Sequence, residues 1–158
     1  MPDRVPRTGI GFDVHRFEPG RPLWLGGVLV ADHDGLAGHS DGDAVSHALA
    51  DAVLGAAALG DVGEHFPDTD PGVAGIAGTD LLARAVVLVA DAGWRPASAD
   101  LTVIAASPAI APLRDAMRAA LAGGLGVPVD AVSVKATRPE GLGLVGDGVG
   151  CLAVAVLA

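Results

Sequence analysis

The chain has 158 residues, enough for one domain around one core, and carries a formal net charge of −9 from 19 acidic and 10 basic residues. That balance repels phosphate backbones, and there is no basic run or aromatic platform, so nucleic acid is not an expected partner. Hydrophobic residues make up 51% of the chain, yet aromatics are 3% and tyrosine is absent. The core must therefore come from Ala, Val, Leu and Ile, whose small buried areas predict added support from subunit contacts.

The start, residues 1–8, is polar, holds two prolines and has no apolar signal core. No apolar run approaches the ~20 residues of a membrane span. The one cysteine, Cys151, sits in an apolar run and reads as a small buried hydrophobe, which suits a reducing compartment. The expectation is a soluble, cytoplasmic protein with no membrane partner.

Residues 10–14 read as a strand and residues 23–30, broken by Gly26-Gly27, as a hairpin. Residues 32–42 are polar, with glycines and two histidines, and read as a loop. The clearest helix signal follows. Ser40 and Asp43 stand at capping-box spacing, Leu49, Ala52, Val53, Ala56 and Ala57 recur at helical intervals, and Gly60 closes the run. After an Asp-, Pro- and Gly-rich loop over 61–78, residues 79–92 predict a second helix, capped by Thr79 and ended by Gly93. Residues 99–106 predict a strand and residues 112–122 a third helix, stopped by Gly123-Gly124. Residues 132–136 are a strand, 137–148 a glycine-rich loop and 149–157 a final strand. That last segment is apolar on both faces, hence central in a sheet or packed at a subunit interface. Without repeat or linker, the pattern predicts one mixed α/β (α+β) domain over residues 1–158.

Four segments carry chemistry. In Asp13-Val14-His15 the acid and the histidine lie at i and i+2, on one side of an extended strand, so both can reach one metal ion. A polar strand edge would look the same. In Gly38-His39-Ser40-Asp41-Gly42-Asp43, followed by His47, the helix places Asp43, His47 and Asp51 on one stripe. That stripe lies off the apolar face, where a carboxylate can orient the second ring nitrogen of His47. One Asp and two His suit a catalytic zinc with an open fourth position. His33 and His65 read as exposed loop residues. In Lys135-Ala136-Thr137-Arg138-Pro139-Glu140-Gly141 a strand ends in hydroxyl and cationic groups. Thr137, Arg138 and backbone amides suit phosphates, and Glu140 suits a hard divalent cation such as magnesium, unless this is an ordinary charged hairpin loop. The acidic loop over residues 60–70 either solvates, hydrogen-bonds hydroxyls or acts as a lid.

Taken together these motifs resemble the 2-C-methyl-D-erythritol 2,4-cyclodiphosphate synthase family. The resemblance runs from Gly9 to Leu157. It rests on Gly11-Phe12-Asp13-Val14-His15-Arg16-Phe17, Leu25-Gly26-Gly27-Val28, His39-Ser40-Asp41-Gly42-Asp43 with His47-Ala48-Leu49, Asp51-Ala52-Val53-Leu54-Gly55-Ala56, Gly60-Asp61-Val62-Gly63, Phe66-Pro67-Asp68-Thr69-Asp70 and Lys135-Ala136-Thr137. It implies Asp13, His15 and His47 as ligands of one zinc per subunit. It also implies Glu140 as the ligand of a second cation, magnesium or manganese. His39 and Arg138 would be catalytic, with His39 and Ser40 on the substrate phosphates and Asp13, Val14, His15 and Glu140 also contacting the substrate. Asp61, Val62 and Gly63, with Phe66, Pro67, Asp68, Thr69 and Asp70, would surround a methylerythritol. Ala105, Ala106, Ser107, Pro108, Ala109, Ile110 and Ala111, with Ala136, Thr137, Arg138 and Pro139, would form a pocket for a cytidyl-diphosphate substrate. The implied fold is a homotrimer with four- to five-stranded sheets facing its axis and active sites between subunits.

The implied reaction closes a cyclic diphosphate by attack of the substrate's own 2-phosphate on its β-phosphorus, with loss of CMP. Two anions meet, so charge neutralisation and positioning carry most of the catalysis. The chain departs from the usual pattern at Arg138-Pro139, at Ala109, where a basic residue is common, and at Leu144 and Asp147, where Phe and Arg are frequent. A metal-dependent phosphohydrolase with the same ligands is the alternative enzyme. A zinc-stabilised binding module would need a closed four-ligand site, which one cysteine in an apolar strand does not supply.

Overall fold

The computed structural model describes residues 4–143 and 145–158; Leu144 lies outside them. A five-stranded sheet has the order β4-β1-β7-β5-β6. Its long strands are β1 (Arg7–Glu18), β5 (Pro96–Ala105), β6 (Val132–Thr137) and β7 (Gly148–Leu157), and β4 (Gly35–Leu36) is a two-residue edge. Strand β7 lies antiparallel between β1 and β5, so the doubly apolar last segment is central, while β5 and β6 run parallel. Strands β2 (Leu23–Leu25) and β3 (Val28–Val30) form a separate hairpin turning at Gly26-Gly27.

One face of the sheet is covered by helices. Helix α1 (Ala44–Ala56) is buried nearly all round, which its alanines allow, and only His47, Asp51 and Gly55 reach solvent. It lies directly on β1 because β1 offers glycine there. A Cβ on Gly9 would sit 1.9 Å from the Ala52 carbonyl oxygen, and one on Gly11 1.9 Å from that of Ala48. Helices α3 (Gly78–Asp91) and α4 (Arg114–Leu125) complete the layer. The opposite face bears Ile10, Phe12, Val14 and Leu152 in solvent.

Several boundaries differ from the sequence expectation for physical reasons. Asp43 alone caps α1, accepting from Ser46 N at 3.0 Å and Ser46 Oγ at 2.7 Å. The same carboxylate accepts the turn amides of Gly26 and Gly27, both at 2.8 Å. It is fully buried under four donors and so does not share the site-facing stripe with His47. Thr79 lies within α3 rather than capping it; the Asp41 carboxylate takes the Gly78 amide at 2.8 Å instead. Gly123 and Gly124 do not stop α4, which runs on to Gly126 in the left-handed conformation. Gly124 is an approach point: a Cβ there would meet Leu82 of α3 at 2.9 Å. A single helical turn, α2 (Val62–His65), interrupts the expected loop and is capped by Asp61, which accepts from Glu64 N at 2.9 Å.

Candidate active site

Alternation along β1 turns Asp13 and His15 toward the helical face, and α1 brings His47 over them. Asp13 Oδ2 lies 2.8 Å from His15 Nε2 and 3.4 Å from His47 Nδ1. One ligating atom from each of the three residues falls within 4.8 Å of the others. Tetrahedral ligands of a zinc-sized ion sit about 3.3 Å apart, so the set fits a divalent metal. The remaining ring nitrogens are engaged as metal-binding histidines require. His15 Nδ1 donates to the Ala37 carbonyl at 2.5 Å, and His47 Nε2 pairs with the Ser40 hydroxyl at 3.0 Å. The orienting group for His47 is thus a buried serine, not the carboxylate its helical stripe suggested.

Burial pushes the Asp13 carboxyl up, but hydrogen bonds and charge from His15 and His47 outweigh it and bring the pKa to about 2. His15 moves up from 6.5, mainly through its hydrogen bond to Asp13, against the opposing effect of burial. The cluster is therefore a carboxylate anion facing His15, whose proton a cation must displace.

The three residues floor a cavity of about 440 Å³, whose walls include His39, Ser40, Asp61, Val62, Gly63, Phe66 and Asp68. Pro67, Thr69 and Asp70 are outside its lining, and Val14 projects from the opposite sheet face, leaving only its backbone near the ligands. Asp51 also lines the cavity; sequence reasoning placed it on the His47 stripe without giving it a site role. It accepts the Val62 amide at 2.8 Å, tying α1 to the short α2 turn, and burial raises its carboxyl above the ordinary value.

A second cavity of about 350 Å³, sharing no lining residue with the first, opens at the carboxyl ends of the parallel strands β5 and β6. Ala105, Ala106, Pro108, Ala109, Ile110, Ala111, Ala136, Thr137 and Arg138 line it, joined by Arg114, which the sequence had not singled out. Ser107 is turned away and meets His33 Nε2 at 2.9 Å, so His33 is engaged rather than free. His65 Nε2 likewise donates to the Leu59 carbonyl at 2.6 Å. Pro139 and Glu140 lie outside both linings; Glu140 is exposed, with a left-handed backbone (φ 53°). Among the described residues, Asp13, His15 and His47 form the one grouped metal-ligand set, and Glu140 belongs to no such group. No helix among them is long and apolar enough to cross a membrane.

The chain is 53% identical to a 2-C-methyl-D-erythritol 2,4-cyclodiphosphate synthase of Symbiobacterium thermophilum, over 95% of this chain and 97% of that one. Its structure superposes on that of the bifunctional IspDF of Campylobacter jejuni with a TM-score of 0.92 at 40% identity, covering 99% of this chain and 43% of that one. A 2C-methyl-D-erythritol-2,4-cyclodiphosphate synthase solved with bound CDP superposes with a TM-score of 0.88 at 39% identity, over 96% of this chain and all of that one. A family profile covers residues 6–158, which include both cavities and all three metal-ligand candidates: the chain belongs to the YgbB family.

Proposed function

We propose that the chain converts 4-diphosphocytidyl-2-C-methyl-D-erythritol 2-phosphate into 2-C-methyl-D-erythritol 2,4-cyclodiphosphate and CMP. The observation that carries this reading is the Asp13–His15–His47 set flooring a hydroxyl- and acid-walled cavity, in a chain about half identical to synthases of that name. An oxygen of the 2-phosphate attacks the β-phosphorus, and the bond from that phosphorus to the oxygen bridging the α-phosphorus breaks. CMP leaves with the electron pair, and no water is consumed.

Zinc at Asp13, His15 and His47 would polarise phosphate oxygens and hold them in register as a Lewis acid. His39 and Ser40, at the rim of the same cavity, hydrogen-bond the phosphates, and His39 steadies the charge of the transition state. Asp61, Val62 and Gly63, with Phe66 and Asp68, surround the methylerythritol. The second cavity takes the cytidine end, with Ala105, Ala106 and Pro108 to Ala111 around the base and Thr137 and Arg138 on the phosphates. Glu140 would hold a magnesium or manganese ion that neutralises the diphosphate. Support for a cytidyl ligand comes from the CDP-bound relative.

The working unit is a homotrimer, soluble in the cytoplasm, with residues 1–158 as one catalytic domain. Support comes from the uncovered apolar sheet face and from the separation of the two cavities within one chain. Each active site then combines the first cavity of one subunit with the second cavity of its neighbour. Phosphorus NMR of the substrate with protein, zinc and magnesium tests the reaction. Cyclic diphosphate plus CMP is expected; a linear monophosphate would identify a phosphohydrolase and overturn the reading.

A further inference from the structure

The second cavity is cationic in an acidic chain. The chain carries −9 overall, yet this lining contains two of its ten cationic residues, Arg114 and Arg138, and no acid. The two come from different elements: Arg114 opens α4, and Arg138 follows the end of β6. Between them the side chains of the wall are alanine, proline and isoleucine, with Thr137 the one neutral polar group, a lining that suits a heterocyclic base.

Neither arginine has an ion-pair or hydrogen-bond partner among the described residues. Arg118, one turn along α4, shows the contrast. It donates to the Val132 carbonyl at 2.8 Å and the Val129 carbonyl at 3.2 Å and lies 3.7 Å from Asp115, so its donors hold the helix to the start of β6. Arg114 has the same chemistry with none of its five N–H donors committed. An unpaired guanidinium lining such a cavity in an acidic protein suits an anion that arrives attached to a heterocyclic base.

We propose that Arg114 is a second nucleotide-binding cation, which holds a phosphate of the nucleotide whose base fills this cavity. The proposal rests on the cavity's assignment to the cytidine end of the substrate. It gives that cavity a phosphate anchor from α4 in addition to the one after β6.

The test is isothermal titration of the zinc-loaded protein with CDP and, separately, with cytidine. It uses the wild type, Arg114→Ala and Arg114→Lys, with thermal unfolding as a check that the fold is intact. Arg114 is exposed, so its truncation should leave the melting temperature unchanged. For Arg114→Ala the expected result is CDP binding weakened about tenfold or more with cytidine binding within about twofold of wild type; the lysine variant should recover part of the loss. Unchanged CDP binding in Arg114→Ala overturns the proposal. Equal losses for CDP and cytidine also overturn it, because the arginine then packs on the base rather than the phosphate. A wild type that binds neither ligand refutes the cytidine assignment of the cavity itself, and that result is distinguishable from either of the others.

Discussion

At the scale of single residues, the site is a competition between protons and a cation. In the metal-free chain His15 is drawn above 6.5 by Asp13, so a metal must displace a proton that is more firmly held than on a free imidazole. Zinc affinity should therefore fall as pH drops through the raised His15 value, and one zinc per chain, about what a single three-ligand site holds, should be found near pH 8. His47→Ala removes the ligand contributed by α1 and should abolish that stoichiometry on elemental analysis; full retention of zinc would refute the assignment. Asp51 supplies an independent check with the opposite sign. Burial, the largest influence on it, raises its folded pKa above the 3.8 of an ordinary Asp, so the native state keeps a proton that the unfolded chain has released. Stability then falls as pH rises across that interval, and ionised Asp51 subtracts stability at neutral pH. Asp51→Asn keeps an oxygen to accept the Val62 amide. In chelator at pH 7 this variant should melt higher than wild type, with the gain shrinking as pH falls through the carboxylate range. If Asp51 faces substrate, kcat/KM should drop about tenfold or more in the same variant. A wild-type melting profile at every pH would show that its burial carries no cost.

At the scale of elements, the decisive contact is α1 on β1. The spacing of Asp13 and His15 was legible from the period of a strand, and His47 from that of a helix. That these two elements touch came only from the family resemblance and not from local spacing, because the cause is a pair of glycines, which sequence reading treats as breakers. Gly9 and Gly11 are strand residues whose missing side chains admit the helix backbone. Gly11→Ala drives a methyl into the Ala48 carbonyl, so α1 must lift away and carry His47 with it. The expected cost is about 3 kcal/mol or more in urea unfolding, at an unchanged m-value, together with weaker zinc binding. Gly55 is the control. It lies exposed near the end of the same helix, where the nearest atom to an added Cβ is the Ile10 carbonyl oxygen at 3.9 Å. Gly55→Ala should stabilise the protein by about 0.5–1 kcal/mol through helix propensity alone. Equal effects at the two positions would mean that the close approach does not set the geometry of the site. The caps were misread for a related reason. Ser40, Asp41 and Asp43 all suit a helix start, and only the tertiary fold decides between them. Asp43 takes α1 and the hairpin turn, Asp41 takes α3, and Ser40 is left to orient His47.

At the scale of the whole molecule, the apolar last segment reads as central in a sheet or packed at a subunit interface, and the structure makes it central; the two-residue β4 instead lies inside what reads as a loop, too short to show a strand period. The two faces of the last strand have different fates. Cys151, Ala153, Ala155 and Leu157 pack under the helices, while Leu152 pairs with Phe12 on the outer face and Val154 with Ile10. Ile10 is 68%, Phe12 47% and Leu152 39% exposed in the single chain, and with Val14 they make a contiguous apolar strip. At the other end of the same face the Lys135–Asp100 ion pair gives it a polar border. A soluble monomer rarely leaves such a strip in water, and in a homotrimer it would pack against its own copies. Phe12→Asp tests this without touching the metal site, because residue 12 projects from the face opposite Asp13 and His15. Three carboxylates brought together around one axis, each deprived of solvent, repel strongly enough to favour the separated chains. The variant should therefore be monomeric by light scattering, retain zinc, and lose nearly all turnover, since each active site would lack the nucleotide cavity of a neighbour. A variant still trimeric and active would place the interface elsewhere. A monomer with full activity would show that one chain holds a complete site, and the two cavities would then have to serve one substrate within a single subunit.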